Sequence, residues 1–553
     1  MKRDAREIAK NSKIECDVLI VGGGAAGISA ACELINSGLN VVLLESGGDI
    51  MDAETQKLAG GEVDNPATHG PLGQYRKRVF GGTTTVWGGR CAPFDAIDFE
   101  KRDHVPHSGW PITKSELDPY YRRAHAYTDT GNYDYNCATS LADGELKTIP
   151  GLKDDVWLQD TIWRFSLPTN FATKSGKRLV AASNVTVIFR TNALKILTDE
   201  SGSSVNGVEV ASLDGNRFEV ASKTVILAAG GLESTRLLLV SNEIKKFGLG
   251  NDHDVLGRYY LSHISGDLGE IRFTPKNLPV VWQYQRAVDS VYVKRNFRIR
   301  EEVQKREHLL NFRFNLTHPP FGDPDHGSSV LSAAYLVKRF FRGKIPPEYS
   351  KDLSSSLYLN VTQHVRNVIF GIPSLVGFAF HWLFQRILAN RKYPSVSLRS
   401  RSNTYTIHFD AEQAPNPESR VVLSNHKDCF GFPLLRTEWR SSSQDLDSIV
   451  RYHDLLREEV EASGVGELSL RKERVMEVVS KGFGVGSHHI GTTRMSNDPN
   501  YGVVDRNCEV HGVSGLFVAA PSVFPTASFA NPVLTITAMA IRVADYVKSR
   551  ASS

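Results

Sequence analysis

Asp17-Val-Leu-Ile-Val-Gly22-Gly-Gly24-Ala-Ala-Gly27, then an amphipathic run to Ser37 and Val41-Val-Leu-Leu-Glu45, form one continuous β-α-β pattern. Val18 to Val21 read as a short apolar strand, Ile28 to Ser37 as a helix, and Gly38 as its stop. Gly22 supplies the tight turn, Gly24 lets backbone approach a pyrophosphate, and Gly27 allows close helix-strand packing. The phosphates then meet the free N–H groups and positive dipole end of a helix. Glu45 closes the second strand at roughly the 20-residue spacing of a ribose-binding acid, which disfavours a 2′-phosphate. Alone, a Gly-x-Gly-x-x-Gly turn is common in loops, but the strand before it, the helix after it and the acid beyond together point to a bound adenine dinucleotide. This segment by itself leaves FAD and NAD open.

With 553 residues the chain exceeds what one hydrophobic core usually covers, so two domains are expected, in tandem or interleaved. A formal charge of +4 without a concentrated basic block argues against nucleic acid and for small molecules. Cys16, Cys32, Cys91, Cys137, Cys429 and Cys508 are scattered, with neither a Cys-x-x-Cys pair nor metal-ligand spacing, so reduced thiols and no metal are expected. Met1 to Glu15 is polar and lacks an apolar secretion segment, which suggests a cytoplasmic protein. Residues 368–388 complicate that reading. They are apolar and flanked by Arg366, Arg386, Arg391 and Lys392, yet Gly371, Pro373, Ser374, Gly377 and His381 interrupt them. A full membrane crossing needs about 20 predominantly apolar residues. The run therefore reads first as a buried or lid helix, and second as a peripheral membrane contact.

Gly60 to Gly89 is loop-like, with a glycine-dense core suited to backbone pressed against a ligand. Leu117 to Tyr127 reads as an amphipathic helix after the Trp110-Pro-Ile turn. Asn184 to Ile188, Ala193 to Leu197 and Thr224 to Ala228 have strand character, and a helix runs from Glu233 to Val240. Tyr405 to Phe409 and Val421 to Leu423 follow as strands, then a helix from Leu446 to Ala462 with Ser443 as its cap and Gly464 as its stop. Near the end, Leu516 to Ala520 is an apolar run, and Asn531 and Pro532 read as the N-cap and first residue of a helix to Lys548.

Four blocks in order resemble the glucose-methanol-choline (GMC) family of FAD-dependent alcohol oxidoreductases: the N-terminal fingerprint, Gly81-Gly-Thr-Thr-Thr-Val-Trp-Gly-Gly-Arg90, Leu227-Ala-Ala-Gly-Gly-Leu-Glu-Ser-Thr-Arg236, and His488-His-Ile-Gly-Thr-Thr-Arg-Met495 through Asn531-Pro532. Ser108-Gly-Trp-Pro-Ile, Leu117-Asp-Pro-Tyr-Tyr and Phe524-Pro-Thr look most like the sugar-oxidising branch of pyranose oxidase and the fructose and glycoside dehydrogenases. The resemblance implies an α/β protein, with a Rossmann-type FAD-binding domain (1–95, 176–265, 485–553) interleaved with an α+β substrate domain (96–175, 266–484).

It also implies that FAD meets Gly22, Gly24, Ala25, Ala26, Gly27, Glu45, Gly81, Gly82, Thr83, Trp87, Gly88, Gly89, Ala193, Ala229, Gly230, Ala520, Pro532 and Thr535. The active-site histidine of the family precedes its Gly-Thr pair by three positions, which selects His488, and its Asn or His partner falls on Asn531. The implied reaction oxidises a secondary hydroxyl of a sugar or glycoside to a ketone: His488 takes the hydroxyl proton as hydride leaves for flavin N5, and the electron acceptor stays open. A non-redox lyase or isomerase of the same fold is the alternative. Where histidyl-linked relatives carry histidine this chain has Val86, so FAD is expected to be held non-covalently, and Ala520 replaces an aspartate common in the family. His489 reads as a packing neighbour, His263 has no clear task, and Glu412 and Gln413 line the substrate side or sit in a solvated turn.

Overall fold

The structure, a computed structural model, describes residues 1–551 apart from 145, 153–157, 275–277, 320–321, 341–360, 399, 401, 473–474, 476 and 478–485. Its first layer is a parallel sheet whose strands run, side by side, Lys2–Asp4, Val185–Phe189, Val41–Leu44, Val18–Val21, Val225–Leu227 and Leu516–Val518. Val18–Val21 and Val41–Leu44 are buried on both faces, which explains continuous apolar runs rather than alternation. Helix Ala25–Glu33 follows strand Val18–Val21 and packs on the C-terminal helix Val533–Ala551. The sheet thus gathers segments from both ends and the middle of the chain, and their carboxyl ends converge where such folds bind ligands.

A second, antiparallel sheet orders Gly466–Leu470, Ile264–Phe273, Thr404–Ala411, Phe312–Thr317, Tyr292–Ile299, Leu158–Phe165 and Arg90–Cys91, with Gln285–Arg286 paired to Tyr292–Ile299. Helix Ser443–Ser463 backs it: Tyr452 and His453 pack on Phe312, Phe314 and Phe409. The short edge strand Arg90–Cys91 leaves the glycine-rich loop directly, and so ties the ligand side of the parallel sheet to the antiparallel one.

Several local expectations shift. The first helix starts at Ala25, three residues before Ile28, and ends at Glu33, because Gly24 is already extended and serves as N-cap while small Ala25 and Ala26 fit the first turn. Ser442, not Ser443, caps the helix to Ser463; its hydroxyl accepts from Asp445 N–H and the Asp445 carboxylate accepts from Ser442 N–H, a reciprocal capping box. The C-terminal helix begins at Val533, and the Pro532 carbonyl accepts its first intrahelical bond from Ile536 N–H at 2.7 Å, so Pro532 is the cap and Asn531 stands outside it. The run 368–388 is not a buried helix: Ile372–Trp382 buries none of its residues. Among the described residues no single helix is long and apolar enough to cross a membrane; Val361–Phe370 and the helical stretch to Ile387 pass such a test only as a pair bent by 76°.

Candidate active site

A cavity of about 550 Å³ runs from the carboxyl ends of the parallel strands to the start of the C-terminal helix. At one end lie Gly22 to Ala26 and Glu45, and at the other Trp87 to Arg90, His488, Asn531 and Pro532. The glycines shape it in different ways. A Cβ on Gly22, at φ +110°, would sit 2.6 Å from the Ala228 carbonyl oxygen, and one on Gly27 would sit 1.8 Å from the Gly22 carbonyl oxygen. At Gly24 a Cβ meets nothing within 4 Å, so there the missing side chain leaves room for a ligand over the helix N-terminus. Glu45 is buried in the lining; its carboxylate accepts from Gly23 N–H at 2.9 Å and from Gly47 N–H at 2.7 Å. Burial pushes its carboxyl pKa up against those two bonds.

Of the cofactor contacts read from the sequence, Gly22, Gly24, Ala25, Ala26, Glu45, Gly82, Thr83, Trp87, Gly88, Gly89, Ala193, Ala229, Gly230, Ala520 and Pro532 line the cavity. Gly27, Gly81 and Thr535 stand behind that lining. Gly27 packs against the turn, Gly81 against Asn170 and Ala172, and the Thr535 hydroxyl bonds Tyr121 Oη at 2.9 Å. Val86 is 61% exposed and stands outside the lining. An elongated cleft with a helix N-terminus at one end and an unhindered glycine beneath it fits an adenine dinucleotide, and these residues suit FAD.

At the far end Asn531 Nδ2 stands 3.5 Å from His488 Nε2. Two further side chains fix this pair. His263 Nε2 lies 3.0 Å from the Ala527 carbonyl oxygen, which can only accept, so that nitrogen carries the proton. Neutral His263 then offers Nδ1 as an acceptor, 2.7 Å from His488 Nδ1. His488 must donate there, which leaves its Nε2 as the free base facing the Asn531 amide. Burial, with the neighbouring His263, Arg90 and His489, holds the His488 pKa well below 6.5 and keeps the imidazole neutral. Burial likewise lowers His263.

Arg90 orients the asparagine. Its Nε–H donates to Asn531 Oδ1 at 2.7 Å, turning the amide Nδ2 toward His488. The other guanidinium nitrogens grip the Asp410 carboxylate at 2.8 and 3.0 Å, and the group lies 4.5 Å over the Trp163 ring. Burial would raise the Asp410 pKa, but Arg90 and His408 outweigh it and the carboxyl is held low. The positive end of helix Val533–Ala551 opens beside this group, and such an end stabilises nearby negative charge by roughly 0.3–2 kcal/mol.

Neither reading of Glu412 and Gln413 holds. Glu412 is fully buried in a bidentate pair with Arg102 at 2.8 and 2.6 Å, and Gln413 Oε1 accepts from Ser262 N–H and Trp439 Nε1–H, both at 2.9 Å. Both brace the antiparallel sheet. His489 packs its ring on Tyr260 and its carbonyl against Gly231. Sequence reasoning missed Arg90, Asp410 and the task of His263. Arg90 closes the glycine-rich block and was visible there, whereas His263 and His488 are 225 residues apart with no spacing signal.

Residues 17–247 match the family model "FAD dependent oxidoreductase", and residues 415–540 match "GMC oxidoreductase". The 2-methyl-1,2-propanediol dehydrogenase of Mycolicibacterium austroafricanum is 23% identical over 601 residues, covering 97% of this chain and 96% of its own. The C-glycoside 3-oxidase of Arthrobacter globiformis is 33% identical over 140 residues, 25% of each chain. Among solved structures, pyridoxine 4-oxidase from Mesorbium loti superposes with a TM-score of 0.52 at 16% identity, over 96% of this chain and 99% of that one. Fold, cavity and matches define an FAD-dependent oxidoreductase that acts on CH–OH groups. The chain thus carries an FAD-dependent oxidoreductase domain and a GMC oxidoreductase C-terminal domain.

Proposed function

We propose that this enzyme oxidises a secondary alcohol of a sugar or glycoside to a ketone, with His488 as the base and Asn531 as the group that orients the substrate oxygen. Bound FAD, held non-covalently, supplies the two-electron acceptor. With Nδ1 tied to His263, His488 Nε2 takes the hydroxyl proton, and a neutral imidazole is competent for this without first losing one of its own. Asn531 Nδ2, turned by Arg90, donates to the same substrate oxygen and holds the carbinol C–H in line.

What carries the choice of a polyhydroxylated substrate is the polar face of the antiparallel sheet beside Arg90. Strand register puts Lys294 opposite Trp163, the ring under Arg90, and Asn315 opposite His408. Asn296, two residues from Lys294 on the same face, is fully buried, and neither atom of its carboxamide has a hydrogen-bond partner among the described residues. Buried polar groups are normally paired, so an unpaired carboxamide in this place favours a ligand rich in hydroxyls over a hydrocarbon alcohol. The likeness to a C-glycoside 3-oxidase supports the same substrate class.

The test is anaerobic mixing of the holoenzyme with monosaccharides, glycosides and simple aliphatic alcohols, followed at the oxidised flavin band, with oxygen admitted afterwards. Bleaching by sugars or glycosides is expected. Bleaching by aliphatic alcohols alone, or product formed while the flavin stays oxidised, contradicts the proposal; the second result favours a lyase or isomerase.

A further inference from the structure

More than half of the exposed large apolar side chains described in the chain fall between residues 337 and 388. All but Val337 and Phe340 lie on or directly after a bent helical hairpin, Val361–Phe370 and Ile372–Trp382 with its continuation Leu383–Ile387, which turns by 76° at Gly371. Ile372, Val376, Phe380 and Phe384 recur at helical spacing, and all four are exposed, as are Phe370 and Ile387. Isolated apolar side chains on a surface need no explanation, but a contiguous patch of this kind marks an interaction site.

The inner side of the hairpin is fastened to the body, so the patch is presented rather than frayed. The His364 ring stacks on Tyr335 with centroids 4.1 Å apart, and Asn367 Nδ2–H donates to the Pro324 carbonyl at 2.7 Å. Gly371 is pressed so close to Ser329 that a Cβ would come within 2.4 Å of its side chain. At the exit, Arg391 donates to the Asp129 and Phe165 carbonyls, and Tyr393 packs edge-on against Tyr284 and Tyr292.

Charge selects the occupant. From residue 361 to 392 the chain has no Asp or Glu, while Arg366, Arg386, Arg391 and Lys392 are all cationic, in a protein whose 65 basic and 61 acidic residues otherwise nearly balance. Arg366 lies over Phe370 and Arg386 near Trp382, so cations rim the apolar surface instead of standing apart from it. Apolar side chains entering the acyl boundary, with basic groups at headgroup level, describe a helix lying in one leaflet of an anionic bilayer.

We infer that the hairpin 361–388 is a monotopic docking surface for a membrane carrying anionic lipid. Its root, Tyr393 on Tyr284, adjoins the sheet face that holds Lys294, whose ammonium lies 5.7 Å from the Tyr284 ring centroid, so docking brings the substrate side of the enzyme to the lipid surface. The inference does not depend on which alcohol is oxidised.

Flotation of the full-length FAD-loaded enzyme with phosphatidylcholine vesicles and with mixed phosphatidylcholine–phosphatidylglycerol vesicles tests it. The mixed vesicles are expected to carry the protein up the gradient, and pure phosphatidylcholine to carry about tenfold less. Combined Phe380→Ser, Phe384→Ser and Ile387→Ser is expected to abolish flotation while flavin content and absorbance stay those of the parent. Arg366→Gln with Lys392→Gln is expected to erase the preference for anionic lipid. Failure of the parent to float on mixed vesicles overturns the inference, as does a triple variant that floats undiminished. A parent that binds no vesicle and instead forms a dimer that the triple variant dissociates overturns it in favour of a second copy of this chain.

Discussion

Replacing His263 by leucine removes the acceptor that the described residues offer His488 Nδ1–H, at 2.7 Å, and leaves that N–H buried. An unsatisfied buried donor costs about 1–3 kcal/mol. The imidazole avoids that cost by moving its proton to Nε2, where it can no longer act as base, so the reactive tautomer becomes the minor one. If the whole penalty falls on that tautomer, the rate drops roughly 5- to 150-fold, at most the lower end of the roughly 10²–10⁴-fold loss that goes with removing a general base outright. The assay is anaerobic stopped-flow reduction of the flavin at saturating concentrations of whichever alcohol bleaches it fastest, so that the limiting first-order rate reports the proton and hydride step alone. His263→Gln, which can accept from His488 and donate to the Ala527 carbonyl, is expected to recover part of the rate. Flavin content should be unchanged in both variants. If His263→Leu reduces its flavin at the parent rate, the tautomer argument is wrong.

Arg90→Lys keeps a cation but loses the fork that holds Asp410 and Asn531 together, so the limiting flavin-reduction rate is expected to fall with little change in FAD content. Because His488 is held neutral well below 6.5, the limiting rate measured by pH-jump stopped flow should stay flat as pH falls through 6.5; an inflection there would mean an unshifted imidazole. Burial, with Arg90 next, lowers the Lys294 pKa to about 7. Between about 7 and its unfolded value near 10.4 the unfolded chain holds the extra proton, so the parent gains stability as pH rises. Lys294→Met should therefore stabilise more near pH 6, by up to about 5 kcal/mol, than near pH 9, by up to about 2 kcal/mol, and an equal gain at both would refute the shift. Asn296→Leu should raise KM for a polyhydroxylated substrate several-fold while raising the melting temperature, since it removes a buried unpaired carboxamide.

The parallel sheet was legible because its strands are continuous apolar runs and its turn is written in glycine, and both signals are local. His488 and Asn531, singled out through flanking blocks, do stand 3.5 Å apart in the cavity lining. The errors came where a local rule had to compete with tertiary contacts. Asn531 reads as an N-cap by composition, but Arg90 claims its Oδ1 and the cap passes to Pro532. Glu412 and Gln413 look like residues of a turn, yet Arg102 and Trp439 draw them into the core. The run 368–388 looks like a core helix by hydropathy, yet helix Ile372–Trp382 buries none of its residues and leaves Ile372, Val376 and Phe380 exposed. His263 was illegible for a different reason, since its task exists only once a distant segment is folded against it.

Everything chemical here depends on His488 being the base. The most direct measurement is the rate of anaerobic flavin reduction by His488→Ala, purified with full FAD content, against the best alcohol substrate of the parent. A loss of roughly 10²–10⁴-fold at saturating substrate, with the Kd for that substrate little changed, is the predicted result. Flavin reduction within a few-fold of the parent would contradict it.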